Sequence, residues 1–296
     1  MLDTDRTSLI VSASWRDYLE LCKPRVVAEM VFTAFIGMLV AQPFLPGLAT
    51  VVFGLSGICL VGFASAAINH MADRRIDALM ARTAHRPMVQ HKIGILEGSF
   101  FALVLGGVGT VLLVVFTSPL TTLLTLATLV GYSFIYTFYL KYATPQNIVI
   151  GGLAGAMPPL LGWSAVTGTV EPGSLILVLI IFTWTPPHFW ALAIERKDDY
   201  QNAKVPMLPV THGIPHTRLQ ILIYTIALVA VSFAPVLYGM SGWLYALAAA
   251  GLGAGFLYNA IDLYRAKNEK APMRTFRFSI WYLTLLFTAL VLDHLL

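Results

Sequence analysis

The chain has 296 residues, 57% of them hydrophobic and only 11% charged, with a mean hydropathy of +0.76. A soluble domain carries about a quarter charged residues, so composition excludes an ordinary globular protein and indicates a polytopic membrane protein. The net charge of +4 does not make a nucleic-acid binder, because the basic residues lie in loops between apolar runs.

Residues 1–25 form a polar N-terminal segment. It lacks the apolar centre of a signal peptide, and Asp3, Asp5, Asp17 and Glu20 remove the acid-poor character of a transit peptide. A bacterial plasma-membrane protein is expected. Cys22 and Cys59 make no metal or disulfide spacing and read as apolar fillers.

Spans need about 20 apolar residues each. Nine are expected: Val26–Leu45, Leu48–Ile68, Ile93–Phe116, Leu120–Leu140, Ile148–Thr167, Leu175–Ile194, Leu219–Tyr238, Trp243–Leu263 and Phe278–Leu295. Alternate connections (Pro43–Gly47, Thr117–Pro119, Gly168–Gly173, Gly239–Gly242) hold no Lys or Arg, and all 19 basic residues fall on the other side. The positive-inside rule makes that side cytoplasmic. The N-terminus is then cytoplasmic and, after an odd number of spans, the C-terminus periplasmic.

The second span runs without a turn signal into Asn69-His70-Met71-Ala72-Asp73-Arg74-Arg75-Ile76-Asp77, so one helix is expected to leave the membrane core for water. Asn69, Asp73 and Asp77 are spaced i, i+4, i+8 and share a helix face. Two carboxylates and an amide suit a hard cation such as Mg²⁺, which accepts few protein carboxylates and fills its shell with substrate phosphate. Arg82 and Arg86 repeat the i, i+4 spacing and offer paired guanidinium groups to phosphate oxygens. Carboxylates for a metal and arginines for an anion, beside a membrane helix, point to a lipid diphosphate. Arg74 and Arg75 read equally as topology-setting charges.

The fifth span carries Gly151, Gly152, Gly155 and Gly162, which read as packing residues. In the sixth, Thr183-Trp184-Thr185-Pro186-Pro187-His188-Phe189-Trp190 places a double proline before a histidine. The prolines are expected to distort the helix and free carbonyls. His188 either packs against one of those carbonyls or faces a cavity as base or ligand, and His70 and His212 have the same two readings. Tyr132, Tyr136 and Tyr139 line a cavity or pack. In the loop that follows, Asp198 and Asp199 can take a second cation while Tyr200 and Lys204 reach phosphate oxygens; a solvated acidic loop is the alternative.

Asn69-x-x-x-Asp73-x-x-x-Asp77 with Arg82-Thr83-x-x-Arg86-Pro87 resembles the first signature of the UbiA superfamily of intramembrane prenyltransferases. Thr185-Pro186-Pro187-His188-Phe189-Trp190, Asp199-Tyr200, Pro206-Met207-Leu208-Pro209 and Lys23-Pro24-Arg25 resemble its haem-modifying members. The likeness runs from about Tyr18 to the last span. One departure stands out: many members carry a second Asp-x-x-x-Asp, and here Asn202 follows Asp198.

The resemblance implies a single all-α domain over 1–296, with about nine transmembrane helices around a central cavity open to the cytoplasmic face. It implies transfer of a farnesyl group from farnesyl diphosphate to a vinyl of haem B, the second substrate. Mg²⁺ would be held by Asn69, Asp73, Asp77, Asp198 and Asp199. Arg82, Arg86, Tyr200, Lys204 and His70 would lie on the substrate, and His188 would act at the haem. Candidate partners are a haem A synthase or the terminal-oxidase assembly machinery. Competing readings are prenylation of a quinone or chlorophyll precursor, against which the His188 segment argues, and secondary transport of an anionic metabolite. A transporter wants ionisable groups near the midplane, whereas these acids cluster at one face.

Overall fold

A computed structural model describes residues 13–266 and 269–296; Asp3, Asp5, Arg6 and Lys267 lie outside the described residues. Those residues contain helices and no strand. The short α1 (Trp15–Leu21) is capped by Asp17, which accepts from the Ser14 N–H at 2.8 Å. Lys23 then turns the chain in a left-handed conformation, φ 48°, into α2 (Pro24–Val40). There follow α3 (Leu48–Asp77), α4 (Ile95–Phe116) and α5 (Pro119–Val130). The last continues as a π-helix (Gly131–Leu140) and a final turn, α6 (Lys141–Ala143). After α7 (Asn147–Ala156) and α8 (Pro158–Thr167) comes α9 (Pro172–Glu195). The loop beyond it holds α10 (Lys197–Asn202) and α11 (Leu208–Thr211). The chain ends with α12 (Gly213–Val231), α13 (Ala234–Leu237), α14 (Trp243–Tyr264) and α15 (Ala271–Leu295).

Eight helical segments of the described chain are long and apolar enough to cross a membrane. The 17-residue α2 falls just below that length, at the short end of the spanning range; counted with the eight it gives about nine. Leu96, Leu103 and Leu123 stand outward, as side chains facing lipid do. The common core gathers Ala34, Met38, Leu160, Leu177, Ile180, Tyr245, Tyr282 and Phe287 from five helices.

The structure departs from the sequence expectations in four places. The first span ends at Val40 rather than Leu45, because Ala41–Phe44 already turns. The second does not emerge into water at Ile68: α3 stays packed to its end, and Asn69, Asp73 and Asp77 are 2%, 5% and 5% exposed. The fourth changes register after Val130, a switch that periodicity does not announce. The double proline leaves α9 continuous. Thr183 and Thr185 donate to the Leu179 and Ile181 carbonyls at 2.8 Å, tying the turn that leads into the prolines.

Glycines let the helices meet. A Cβ at Gly37 would run into the carbonyl of Pro159, and one at Gly162 into that of Ala34. Helices α2 and α8 therefore cross with their backbones in contact, the close approach that small residues permit in membranes.

Candidate active site

Helix α3 carries Asn69, Asp73 and Asp77 on one buried face, as their spacing requires. Burying two carboxylates is costly unless cations pair with them. Each member of the triplet is matched by one. Lys23 Nζ donates to Asn69 Oδ1. Lys141 Nζ lies 2.7 Å from Asp73 Oδ1, in an ion pair without hydrogen-bond geometry. Arg86 Nη1 donates to Asp77 Oδ2 at 2.6 Å. Thr83 closes the end of α3 by donating to the Asp77 carbonyl at 2.9 Å.

Asn69 is held on its other side. Its Nδ2 donates to Asp73 Oδ2 at 3.0 Å and to Thr137 Oγ1, on the π-helix, at 3.1 Å. Lys23 and Lys141, like Thr137, come from elements distant in sequence. Burial pushes the Lys23 ammonium down to about 8, with Arg86 adding to the effect and Asp73 opposing it. Its left-handed φ directly before a proline is uncommon for a side-chain-bearing residue, so the turn is held by its surroundings.

The donors fit Mg²⁺. All are oxygens, only two carry charge, and the Lys141 contact leaves Asp73 Oδ1 without a hydrogen bond. That set leaves coordination positions for phosphate oxygens. Among the described residues no three His, Cys, Asp or Glu side chains gather at one ion, so Asp198 and Asp199 do not join Asp73 and Asp77 in a single protein shell. Asp198 is exposed and Asp199 half-buried on α10.

The two loops nonetheless pack together: Met80 shares one apolar cluster with Ala203, Val205 and Met207. Burial pushes the Tyr200 phenol up, the Arg82 guanidinium opposes this and Asp199 adds to it. Arg82 and Arg86 do not share a helix face as their spacing suggests, because α3 ends at Asp77 and turns follow. Arg86 folds back onto Asp77, while Arg82 is exposed. Lys204 is exposed, in a left-handed conformation with φ 54°.

His70 is 2% exposed and neither ring nitrogen has a hydrogen bond, whereas the exposed His212 contacts the Thr211 hydroxyl at 2.8 Å. Tyr132 and Tyr136 stack at 5.4 Å, but Tyr139 is 68% exposed and faces away from the bundle.

His188 is buried between the rings of Trp184, at 4.2 Å, and Phe276, at 4.6 Å. No freed carbonyl holds it. Its Nδ1 lies 2.7 Å from Ser279 Oγ, and that hydroxyl donates to the Phe276 carbonyl at 2.7 Å. One hydroxyl has one proton, so Nδ1–H donates to Ser279 and the lone pair sits on Nε2.

The chain matches the model of the UbiA prenyltransferase family over residues 30–284. It is 55% identical over 287 residues to the protoheme IX farnesyltransferase of Hahella chejuensis, covering 97% of this chain and 96% of that protein. It is 57% identical over 284 residues to protoheme IX farnesyltransferase 1 of Pseudomonas fluorescens, covering 96% and 95%. Among solved structures, that of a digeranylgeranylglyceryl phosphate synthase superposes with a TM-score of 0.79 at 19% identity, covering 95% of this chain and 98% of that one. A UbiA homolog from Archaeoglobus fulgidus bound to GPP and Mg²⁺ superposes with a TM-score of 0.64 at 14% identity, covering 93% and 99%. At such identities the two structures speak for the fold alone. Family model, near relatives and fold agree, and the chain belongs to the UbiA prenyltransferase family.

Proposed function

We propose that this protein transfers the farnesyl group of farnesyl diphosphate to a vinyl group of haem B, releasing diphosphate and giving the hydroxyethylfarnesyl haem, haem O. One observation carries the reading: the buried Asn69–Asp73–Asp77 face ringed by Lys23, Lys141 and Arg86, in a chain 55–57% identical over nearly its whole length to protoheme IX farnesyltransferases.

Asn69, Asp73 and Asp77 would hold Mg²⁺, with Asp198 and Asp199 on the neighbouring loop as a second set. Bound there, the ion neutralises the diphosphate and makes it a better leaving group. The chain's own groups do the rest. Lys23, Lys141 and Arg86 exchange their carboxylate and amide partners for diphosphate oxygens, joined by Arg82, Lys204, Tyr200 and the unbonded nitrogens of His70. Together they stabilise charge that develops as the C1–O bond breaks. The electron pair of that bond leaves with the diphosphate. The vinyl π pair forms the new carbon–carbon bond, and water adds to the resulting cation with loss of a proton. Tyr132 and Tyr136 offer ring faces to the allylic cation in a site closed to bulk water. His188 presents Nε2 either to the haem iron or, as base, to the adding water.

We read the chain as a bacterial plasma-membrane protein, and the basic loops favour a cytoplasmic N-terminus and a periplasmic C-terminus. We read the chain as one domain whose product passes to a haem A synthase or to terminal-oxidase assembly.

Purified protein incubated with haem B, farnesyl diphosphate and Mg²⁺ tests the reading by mass spectrometry. The expected result is one hydroxyethylfarnesyl haem per diphosphate released. Diphosphate release that requires a quinone precursor instead of haem would overturn it, and so would the absence of any release, as a transporter predicts.

A further inference from the structure

The π-helix brings one hydroxyl to the metal face. Elsewhere in the bundle threonine hydroxyls return to the carbonyl four residues back, as Thr110, Thr125, Thr128 and Thr225 do. Thr137 Oγ1 instead donates to the Tyr132 carbonyl, five residues back, at 2.8 Å. That is the wider spacing of the π register. Its only proton is spent there, so toward Asn69 it can only accept.

The orientation of the Asn69 carboxamide follows from this. Its two N–H groups go to Thr137 Oγ1 and Asp73 Oδ2, which leaves Oδ1 turned toward the cation Lys23. A flipped amide would set its oxygen against the Thr137 oxygen and against a carboxylate, two repulsive contacts. One helical step deeper, Ser133 Oγ meets Ser65 Oγ at 2.8 Å and holds the π-helix against α3. Thr137 is 1% exposed, so bulk water does not reach its hydroxyl.

We propose that Thr137 is a positioning residue: through the π register it fixes the Asn69 side chain with its carbonyl oxygen presented to the metal. The inference rests on the reading of Asn69 as a metal ligand. A partner behind a ligand typically changes metal affinity by about 10–100-fold.

The test is Mn²⁺ uptake, followed by electron paramagnetic resonance, on purified full-length protein with inorganic diphosphate present. Thr137→Val keeps the shape and removes the acceptor; it should weaken Mn²⁺ binding about tenfold, while Thr137→Ser should bind as the wild type does. The decisive comparison adds Asn69→Asp, whose carboxylate has no wrong face to present. In that background Thr137→Val should cost little or nothing. Equal loss in both backgrounds would make Thr137 a packing residue and overturn the proposal, as would unchanged affinity in Thr137→Val alone. Should the valine variant not purify, Thr137→Ala gives the same comparison. Wild-type protein that takes up no Mn²⁺ would remove the metal site itself and this inference with it. That outcome differs from a normal wild type with an indifferent Thr137.

Discussion

Lys141 Nζ lies 2.7 Å from Asp73 Oδ1, joining the last turn of the fourth span to the acidic face of α3. The ammonium stands where a metal would be expected to draw on the same oxygen. On the proposed function, charge for Asp73 would come from Lys141 in the metal-free state and from a cation and diphosphate in the loaded one.

Lys141→Met should therefore separate two affinities. Binding of Mg²⁺ alone should strengthen by about tenfold, equivalent to about 1.4 kcal/mol, because Asp73 no longer has a competing cation. Binding of farnesyl diphosphate should weaken. Removing one partner of a buried pair is strongly destabilising, so the metal-free variant should melt earlier and Mg²⁺ should restore much of the loss. Calorimetric titration and thermal melts check all three.

Asp73→Asn and Asp77→Asn should each lower product formation by about a hundredfold to a thousandfold, the scale of a lost electrostatic anchor, with membrane insertion intact. Wild-type activity should vanish in excess chelator and return with Mg²⁺. Full turnover in chelator would remove the metal from the mechanism.

His188 and Ser279 give a paired prediction. If His188 binds iron, His188→Ala should still bind farnesyl diphosphate but bind haem B poorly, with a shifted Soret band. If it serves as base, haem binding persists and product formation alone fails. In either case Ser279→Ala should weaken the function about 10–100-fold, because Nδ1–H loses the acceptor that fixes the tautomer. Wild-type turnover in His188→Ala would leave the ring as packing between Trp184 and Phe276.

Gly162→Ala tests the α2–α8 crossing. The added Cβ meets the Ala34 carbonyl, a backbone atom that cannot rotate away. Overpacking of this kind costs about 1–3 kcal/mol, and more where backbone must shift. The variant should elute as aggregate from detergent, whereas Gly107→Ala, where a Cβ meets nothing within 4 Å, should behave as the wild type.

A reporter fused after Leu296 should be active on the periplasmic side and one inserted after Lys92 on the cytoplasmic side. A cytoplasmic C-terminus would require an even number of spans.

Much was legible in the sequence because it is local. Lipid forces backbone hydrogen bonds into the helix itself, so apolar run length alone marked nine spans. The i, i+4, i+8 spacing of Asn69, Asp73 and Asp77 fixed their common face whatever packs on it. What meets that face was not local. Lys23 stands out in the sequence only as part of Lys23-Pro24-Arg25, Lys141 only as a loop charge, and Thr137 not at all; no spacing rule links them to residues 69 and 73. Their convergence depends on how helices cross, on a left-handed turn at Lys23 and on a π register that moves Thr137 around its axis. The same holds for Arg86, which spacing placed beside Arg82 and a turn folds back to Asp77. The tautomer of His188 depends on Ser279, supplied by the last helix. Periodicity decides which way a side chain leaves its own helix; only the packed bundle decides what stands opposite.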